Sequence, residues 1–137
     1  MQGGTRTSAT LMPISQSVDH VNRIRSFTLS GELTTADMVE TTGLAATELD
    51  PTVPYAVMTD HRLLSSPIMP EQARAFAAWL SSPVSPFRGT HWVAIVNQPA
   101  SYGMLRMLAV YIEQAGIKIE IVASPEAALR WLTAERA

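Results

Sequence analysis

The sequence predicts an α/β fold: a mostly parallel five-stranded sheet with a leading antiparallel hairpin and four helices, in the order β-β-α-β-α-β-α-β-α. Two short apolar runs, Tyr55-Ala56-Val57-Met58 and Trp92-Val93-Ala94-Ile95-Val96, suit strands buried on both faces. Stretches with helical periodicity lie between and after them. A further strand pattern follows, in which Ile117, Ile119 and Ile121 alternate with Lys118 and Glu120. Such alternation implies right-handed crossovers, with helices covering the faces of the sheet.

Residues 12–18 place Ile14, Gln16 and Val18 on one face at period two. Residues 21–30 also read as strand, in which Phe27 and Leu29 alternate while Val21 and Ile24 are out of phase. A bulge or twist near Arg25 would reconcile them. Asp19, His20 and Asn22 supply turn chemistry, so the two segments read as a hairpin. Gly31 closes the second strand, and Thr34, with Asp37 three residues on, reads as a helix N-cap. The helix from about Thr35 to Glu48 is weakened by Thr41, Thr42 and Gly43. Asp50-Pro51 ends it and Pro54 delimits the loop.

The strand opening at Tyr55 is expected to stop at Thr59-Asp60-His61-Arg62. Pro70 suits the first residue of a helix whose Ala73, Phe76, Ala77 and Leu80 form one apolar stripe. Residues 81–89 hold Pro83, Pro86 and Gly89 and read as loop. Asn97-Gln98-Pro99 breaks the next strand. A helix from Ser101 to Gln114 then carries Leu105, Leu108, Ala109 and Ile112 on one side, with Gly116 as its C-terminal cap. The strand at Ile117–Ile121 has one wet face and reads as an edge. Ser124-Pro125-Glu126 opens the last helix, which carries Ala128, Leu129, Trp131 and Leu132. Residues 12–134 are expected to form one domain after a small, polar, disordered leader at 1–11.

Composition narrows the function. The chain has 137 residues, 47% hydrophobic and 16% charged, enough apolar material for a core and too little charge for a disordered chain. Net charge is −2 and the ten basic residues are scattered, so there is no electrostatic footprint for nucleic acid. Cysteine is absent, which excludes disulfides and thiolate metal sites and permits the cytoplasm, the expected location. The first ten residues lack the apolar stretch of a secretory signal, and no apolar run is long enough for a membrane span.

Four stretches carry a family resemblance: residues 12–34 ending in Gly31-Glu32-Leu33-Thr34; Val57-Met58-Thr59-Asp60-His61-Arg62; Val93-Ala94-Ile95-Val96 followed by Tyr102-Gly103-Met104-Leu105-Arg106-Met107; and Gly116 through Leu132 with its Ser124-Pro125-Glu126. In this order the chain, over about residues 12–132, resembles the SpoIIAA-like group, which includes the STAS (sulfate transporter and anti-sigma antagonist) domains. It is most similar to the stand-alone bacterial branch, structurally related to the CRAL-TRIO lipid-binding fold. The resemblance implies a regulatory or protein-interaction role. Anti-sigma antagonists of the group carry a phosphorylated serine in a D-S-S-G-like motif after the central strand. Here that place holds Ile68-Met69-Pro70-Glu71, and Ser65-Ser66 is followed by Pro67, so no phosphoacceptor is carried over.

Strand ends of a parallel sheet gather on one edge, where ligands of open α/β sheets bind. Asp60, His61, Arg62, Asn97, Ser101, Tyr102, Gly103 and Arg106 are the candidate ligand-binding residues there. Helix N–H groups at Ser101 to Gly103 suit an anion, with Arg106 one turn on to assist. The same residues equally suit a helix cap at Ser101, close packing at Gly103, and an Arg106 that is solvated or paired with Asp60. A Ser101–His61–Asp60 triad lacks the G-x-S-x-G elbow, the stretch being Pro99-Ala100-Ser101-Tyr102-Gly103, and adjacent side chains at 60 and 61 diverge. His20, His61 and His91 are too dispersed for a metal site. Met58, Met69, Met104 and Met107 suit either core or an adaptable surface.

The expectation is a non-enzymatic binding or regulatory module acting on a protein partner through an edge strand or the Met69–Trp79 helix. It would have no cofactor and no nucleic acid, and would form a homodimer through exposed sheet edges. The alternative is a carrier or sensor of a small amphipathic, acyl or lipid-like ligand. A hydrolase is third.

Overall fold

The structure, a computed structural model, describes residues 13–47, 55–83, 85 and 87–136. The leader at 1–11, Met12, the helix stop at Glu48 to Pro51, and Pro54 lie outside them. The elements follow in the order β1 (Ile14–Asp19), β2 (Ile24–Gly31), α1 (Thr35–Thr47), β3 (Ala56–Leu64), α2 (Pro70–Leu80), β4 (His91–Ile95), α3 (Pro99–Ile112), β5 (Lys118–Val122) and α4 (Pro125–Glu135). A 3-10 turn at Glu113–Ala115 follows α3. The strands lie side by side in chain order, β1 antiparallel to β2 and all later neighbours parallel, as the sequence predicts.

Two hydrophobic clusters flank the sheet. The larger joins Ile14, Phe27, Leu29, Val57, Trp92 and Ala94 to Met38 of α1, Phe76, Ala77 and Leu80 of α2, and Leu105, Leu108 and Ile112 of α3. The smaller joins Ile24, Ala56, Val93 and Ile95 to Ala128 and Leu132 of α4. Three helices therefore cover one face and α4 covers part of the other. β4 is in contact on both sides, which accounts for its apolar run. On the half of the second face formed by β1 and β2, hydroxyl residues pair across the strands, Ser15 with Thr28 and Ser17 with Ser26.

Local chemistry fixes the element ends. The Asp19 carboxylate accepts from the N–H groups of Val21 and Asn22, both at 3.0 Å, and Arg23 takes a left-handed φ of 55°. Thr34 and Asp37 cap α1 reciprocally, Oγ1 to N at 3.0 Å and Oδ2 to N at 3.1 Å. Gly116, with φ of 72°, closes the 3-10 turn in the left-handed region. Ser124 Oγ accepts from the Ala127 N–H at 3.1 Å and starts α4 with Pro125 behind it.

Three expectations are corrected. No bulge lies at Arg25; β1 and β2 pair evenly from Ile14–Leu29 to Asp19–Ile24. Val21 is out of phase because it sits at the turn tip, 89% exposed, outside the strand. Arg25 disturbs the pattern because it is a charge on the core face, buried, with Nη1 donating to Gln16 Oε1 at 2.6 Å. Next, β3 runs on through Asp60-His61-Arg62 to Leu64. The irregularity is there instead: β2 advances two residues, Thr28 to Ser30, while β3 advances three, Asp60 to Leu63. Finally, α3 begins at Pro99, two residues before Ser101, because Pro99 occupies the first helical turn.

Replacing Ser124 by alanine removes the α4 cap and is expected to cost about 1 kcal/mol. Thermal unfolding should show a fall in Tm of roughly 3–5 °C for a chain of this size. An unchanged Tm would show that the cap does not hold α4 on the sheet.

Candidate functional site

The sheet divides the expected ligand site. Successive strand residues point to opposite faces. Asp60 pairs in register with Ile95 and so lies on the α4 side, whereas His61 is in the wall of the cavity on the α1–α3 side. Asp60 and Arg62 hold each other in a two-pronged ion pair, Nε to Oδ1 at 2.9 Å and Nη2 to Oδ2 at 2.7 Å. The guanidinium keeps the Asp60 carboxyl below its ordinary range, and the carboxylate raises Arg62 in turn. Arg106 is not part of this pair. It stands on the exposed side of α3, donates to Tyr102 Oη at 3.2 Å and lies 5.8 Å from that ring. Asn97 is exposed beyond β4.

The anion-binding turn is altered by the earlier start of α3. The Tyr102 N–H donates to Gln98 O at 3.1 Å, inside the helix, and Ser101 is buried in its third position without capping it. Gly103 faces open space, so close packing is not its role. Asp60 and His61 point apart, which leaves the Ser101–His61–Asp60 triad without its geometry. His91 opens β4 and approaches Glu135 at 3.8 Å, while His20 bonds Tyr55 Oη at 2.7 Å in the hairpin. Among the described residues no group of three His, Asp or Glu side chains is placed to hold a metal.

What the sequence did not bring forward is a cavity between the sheet and the three-helix layer. It measures about 50 Å³ and its wall includes Phe27, Leu29, Val57, Phe76, Leu105 and Leu108. Protein interiors are packed nearly to crystal density, and leaving such a void unfilled costs about 1 kcal/mol. Thr59, His61, Thr90 and Trp92 also border it, but the surface they turn towards it is apolar. Trp92 Nε1 donates to Thr59 Oγ1 at 2.9 Å, and Thr59 Oγ1 meets His61 Nε2 at 2.8 Å. An indole nitrogen only donates, so the threonine oxygen accepts from it and has its proton and a second lone pair left to meet the imidazole in either tautomer. Burial pushes the His61 pKa down to about 4, only partly offset by the charge of Asp60. The ring is neutral at pH 7.

The outer side of α3 is the second notable surface. Ser101, Leu105, Leu108 and Ile112 point inward. Outward, Tyr102, Val110 and Tyr111 are 45%, 72% and 40% exposed, with Gly103 and Arg106 between them. Met104 and Met107 are half-buried along its flanks.

No protein-family model matches this chain, and no curated protein matches it. A solved structure does share its architecture: an uncharacterized protein of the DUF3478 family, with a SpoIIAA-like fold, from Shewanella loihica PV-4. The two align with a TM-score of 0.59 at 15% identity, over 87% of this chain and 91% of that one. The fold of this chain is SpoIIAA-like. Among the described residues no helix is long and apolar enough to cross a membrane.

The buried imidazole makes stability depend on pH. Unfolded histidine titrates near 6.5, so between about 6.5 and 4 the unfolded chain takes up a proton that the folded chain refuses. Stability is expected to be full above pH 6.5 and to fall through that window by about 3 kcal/mol. It then levels where His61 protonates in place, while Asp60 titrates below the window. Urea unfolding at pH 7 and pH 4.5 should show this fall, and His61→Phe should flatten it. An equal slope in the variant would assign the pH dependence to another group.

Proposed function

We propose that this protein is a non-catalytic interaction module that docks a partner protein on the outer face of α3. The observation that carries this reading is the composition of that face. Tyr102, Gly103, Arg106, Met107, Val110 and Tyr111 follow one another around it without a lysine, aspartate or glutamate. Tyrosine, methionine and arginine are enriched at protein interfaces, and lysine and acids are depleted. The exposed side of α2, by contrast, carries Glu71 and Arg74, and that of α4 carries Glu126 and Arg130.

Arg106 identifies the kind of partner. It lies at the middle of the stripe, one turn after Tyr102 and one turn before Val110, and Tyr102 holds its guanidinium in place. A second copy packed antiparallel about a twofold axis would set arginine against arginine. The face therefore suits a different protein, one with an apolar patch and a carboxylate at its centre. At the sheet's C-terminal edge, the alternative site for an amphipathic ligand, Asp60 already has Arg62 and Arg106 stands apart. The cavity is too small for an acyl chain.

A photo-crosslinking residue placed at Val110, in cells of the source organism, is expected to capture one protein that the same residue at Ala75 on α2 does not. With both proteins purified, Arg106→Glu should weaken the complex by about 10- to 100-fold, the scale of a charged hydrogen bond. A lysine in place of the partner's carboxylate should restore it. Equal capture at both positions, capture of a second copy of this chain, or unchanged affinity in Arg106→Glu would each overturn the reading.

A further inference from the structure

The two edges of the sheet are unlike. Edge strands of natural proteins are guarded against further pairing by lysines, prolines, bulges or inward-pointing charges. From Ile14 to Val18, β1 carries none of these, and its ladder to β2 runs without a bulge. In an antiparallel ladder alternate residues turn their N–H and C=O towards the neighbouring strand. The Ser30 N–H donates to Pro13 O at 2.8 Å, and the register carries that bonding on to Ser15–Thr28, Ser17–Ser26 and Asp19–Ile24. The main-chain groups of Ile14, Gln16 and Val18 therefore point out of the sheet, and no described residue bonds to them. Ser15, Gln16 and Ser17 are exposed.

We infer that β1 is a self-pairing edge, to which a second copy of this chain adds its own β1, antiparallel about a twofold axis at Gln16, joining the two sheets into one. This register engages all three outward residues, Gln16 with Gln16 of the second copy and Ile14 with Val18 of the second copy. The side chains agree with it. On the core face Gln16 turns Oε1 to Arg25 at 2.6 Å, which leaves its amide N–H groups for the facing glutamine. On the other face Ser15 meets Ser17 of the second copy, extending the hydroxyl pairs Ser15–Thr28 and Ser17–Ser26. Asp19 falls opposite Pro13, and its carboxylate is already held by the N–H groups of Val21 and Asn22. β5 differs. Its Lys118 N–H donates to Thr90 O and its Val122 O accepts from the Val96 N–H, so Ile119 and Ile121 face outward. Antiparallel self-pairing through both would set Glu120 directly against Glu120, like charge on like. The twofold contact closes at two copies. It is independent of the outer face of α3.

Sedimentation equilibrium of the full chain, with amide hydrogen exchange followed over the same concentrations, tests the pairing. So narrow an interface is weak, and the dimer is expected to form at concentrations on the order of 100 µM. Exchange at Ile14, Gln16 and Val18 should slow as it forms, while exchange at Ser15 and Ser17, already bonded to β2, stays unchanged. Ser15 and Ser17 lie on the wet face, so substituting them spares the core. Ser15→Lys with Ser17→Lys sets like charges opposite one another across the twofold axis and should weaken the dimer about tenfold. Ser15→Lys with Ser17→Glu sets opposite charges in the same places and should hold it at least as tightly as the parent. If either double variant fails to fold, the exchange pattern of the parent chain decides. A monomer at every concentration, a dimer that slows Ile119 and Ile121 instead, or equal association of the two double variants overturns the inference.

Discussion

The arrangement of this molecule depends on the handedness of its parallel connections. A strand–helix–strand crossover within one sheet runs right-handed. β2, β3, β4 and β5 lie beside one another in chain order, so three successive crossovers advance in the same direction. All three deliver their helix to the same face. Only α4, which follows the last of these strands and is not part of a crossover between them, packs on the other side. The thick core, the void within it and the exposed outer side of α3 follow from this one-sided layering. α3 lies between the sheet and solvent, so its inner stripe is Leu105, Leu108 and Ile112 while Tyr102, Val110 and Tyr111 on its outer side are exposed.

Much of the fold was legible because the local signals agree with it. The stripe of Ala73, Phe76, Ala77 and Leu80 is the buried stripe of α2, and the cap residues Thr34 and Ser124 do what their spacing suggests. Misreadings arose where a polar residue sits in regular structure for a reason outside its own segment. Asp60-His61-Arg62 looks like the end of a strand because three polar residues in a row are hard to bury. They remain in β3 because the ion pair of Asp60 with Arg62 is made on one face and the bond of His61 to Thr59 on the other. Arg25 disguised a regular ladder in the same way, its partner Gln16 lying across the hairpin.

The candidate sites were legible in part. His61, Tyr102 and Arg106 were singled out, but as members of one ligand edge, which the sheet and the exposed side of α3 divide between separate surfaces. The missing information was the length of β3. With the strand extended by period-two alternation, Val57, Thr59 and His61 fall on one face, and a threonine and histidine among core residues would have pointed inward. The cavity itself has no signature in sequence. It is what remains when Phe27, Phe76 and Leu105, from three distant segments, fail to meet, and that depends on side-chain volumes rather than on pattern.

The hydroxyl pairs of the hairpin, Ser15 with Thr28 and Ser17 with Ser26, lie on the half-face that α4 does not reach. Their neighbours one residue along each strand, such as Ile14, Phe27 and Leu29, are locked into the core. The hairpin thus holds two kinds of position under different constraint. Its wet positions ask only for compatibility with extended backbone, whereas every position from Trp92 to Val96 in and after β4 is enclosed. Sequence drift among descendants of this chain is therefore free to accumulate at alternate residues of the hairpin while the central strand stays fixed. A surface that changes fastest on an invariant frame is also the ground on which a lineage acquires new recognition without refolding.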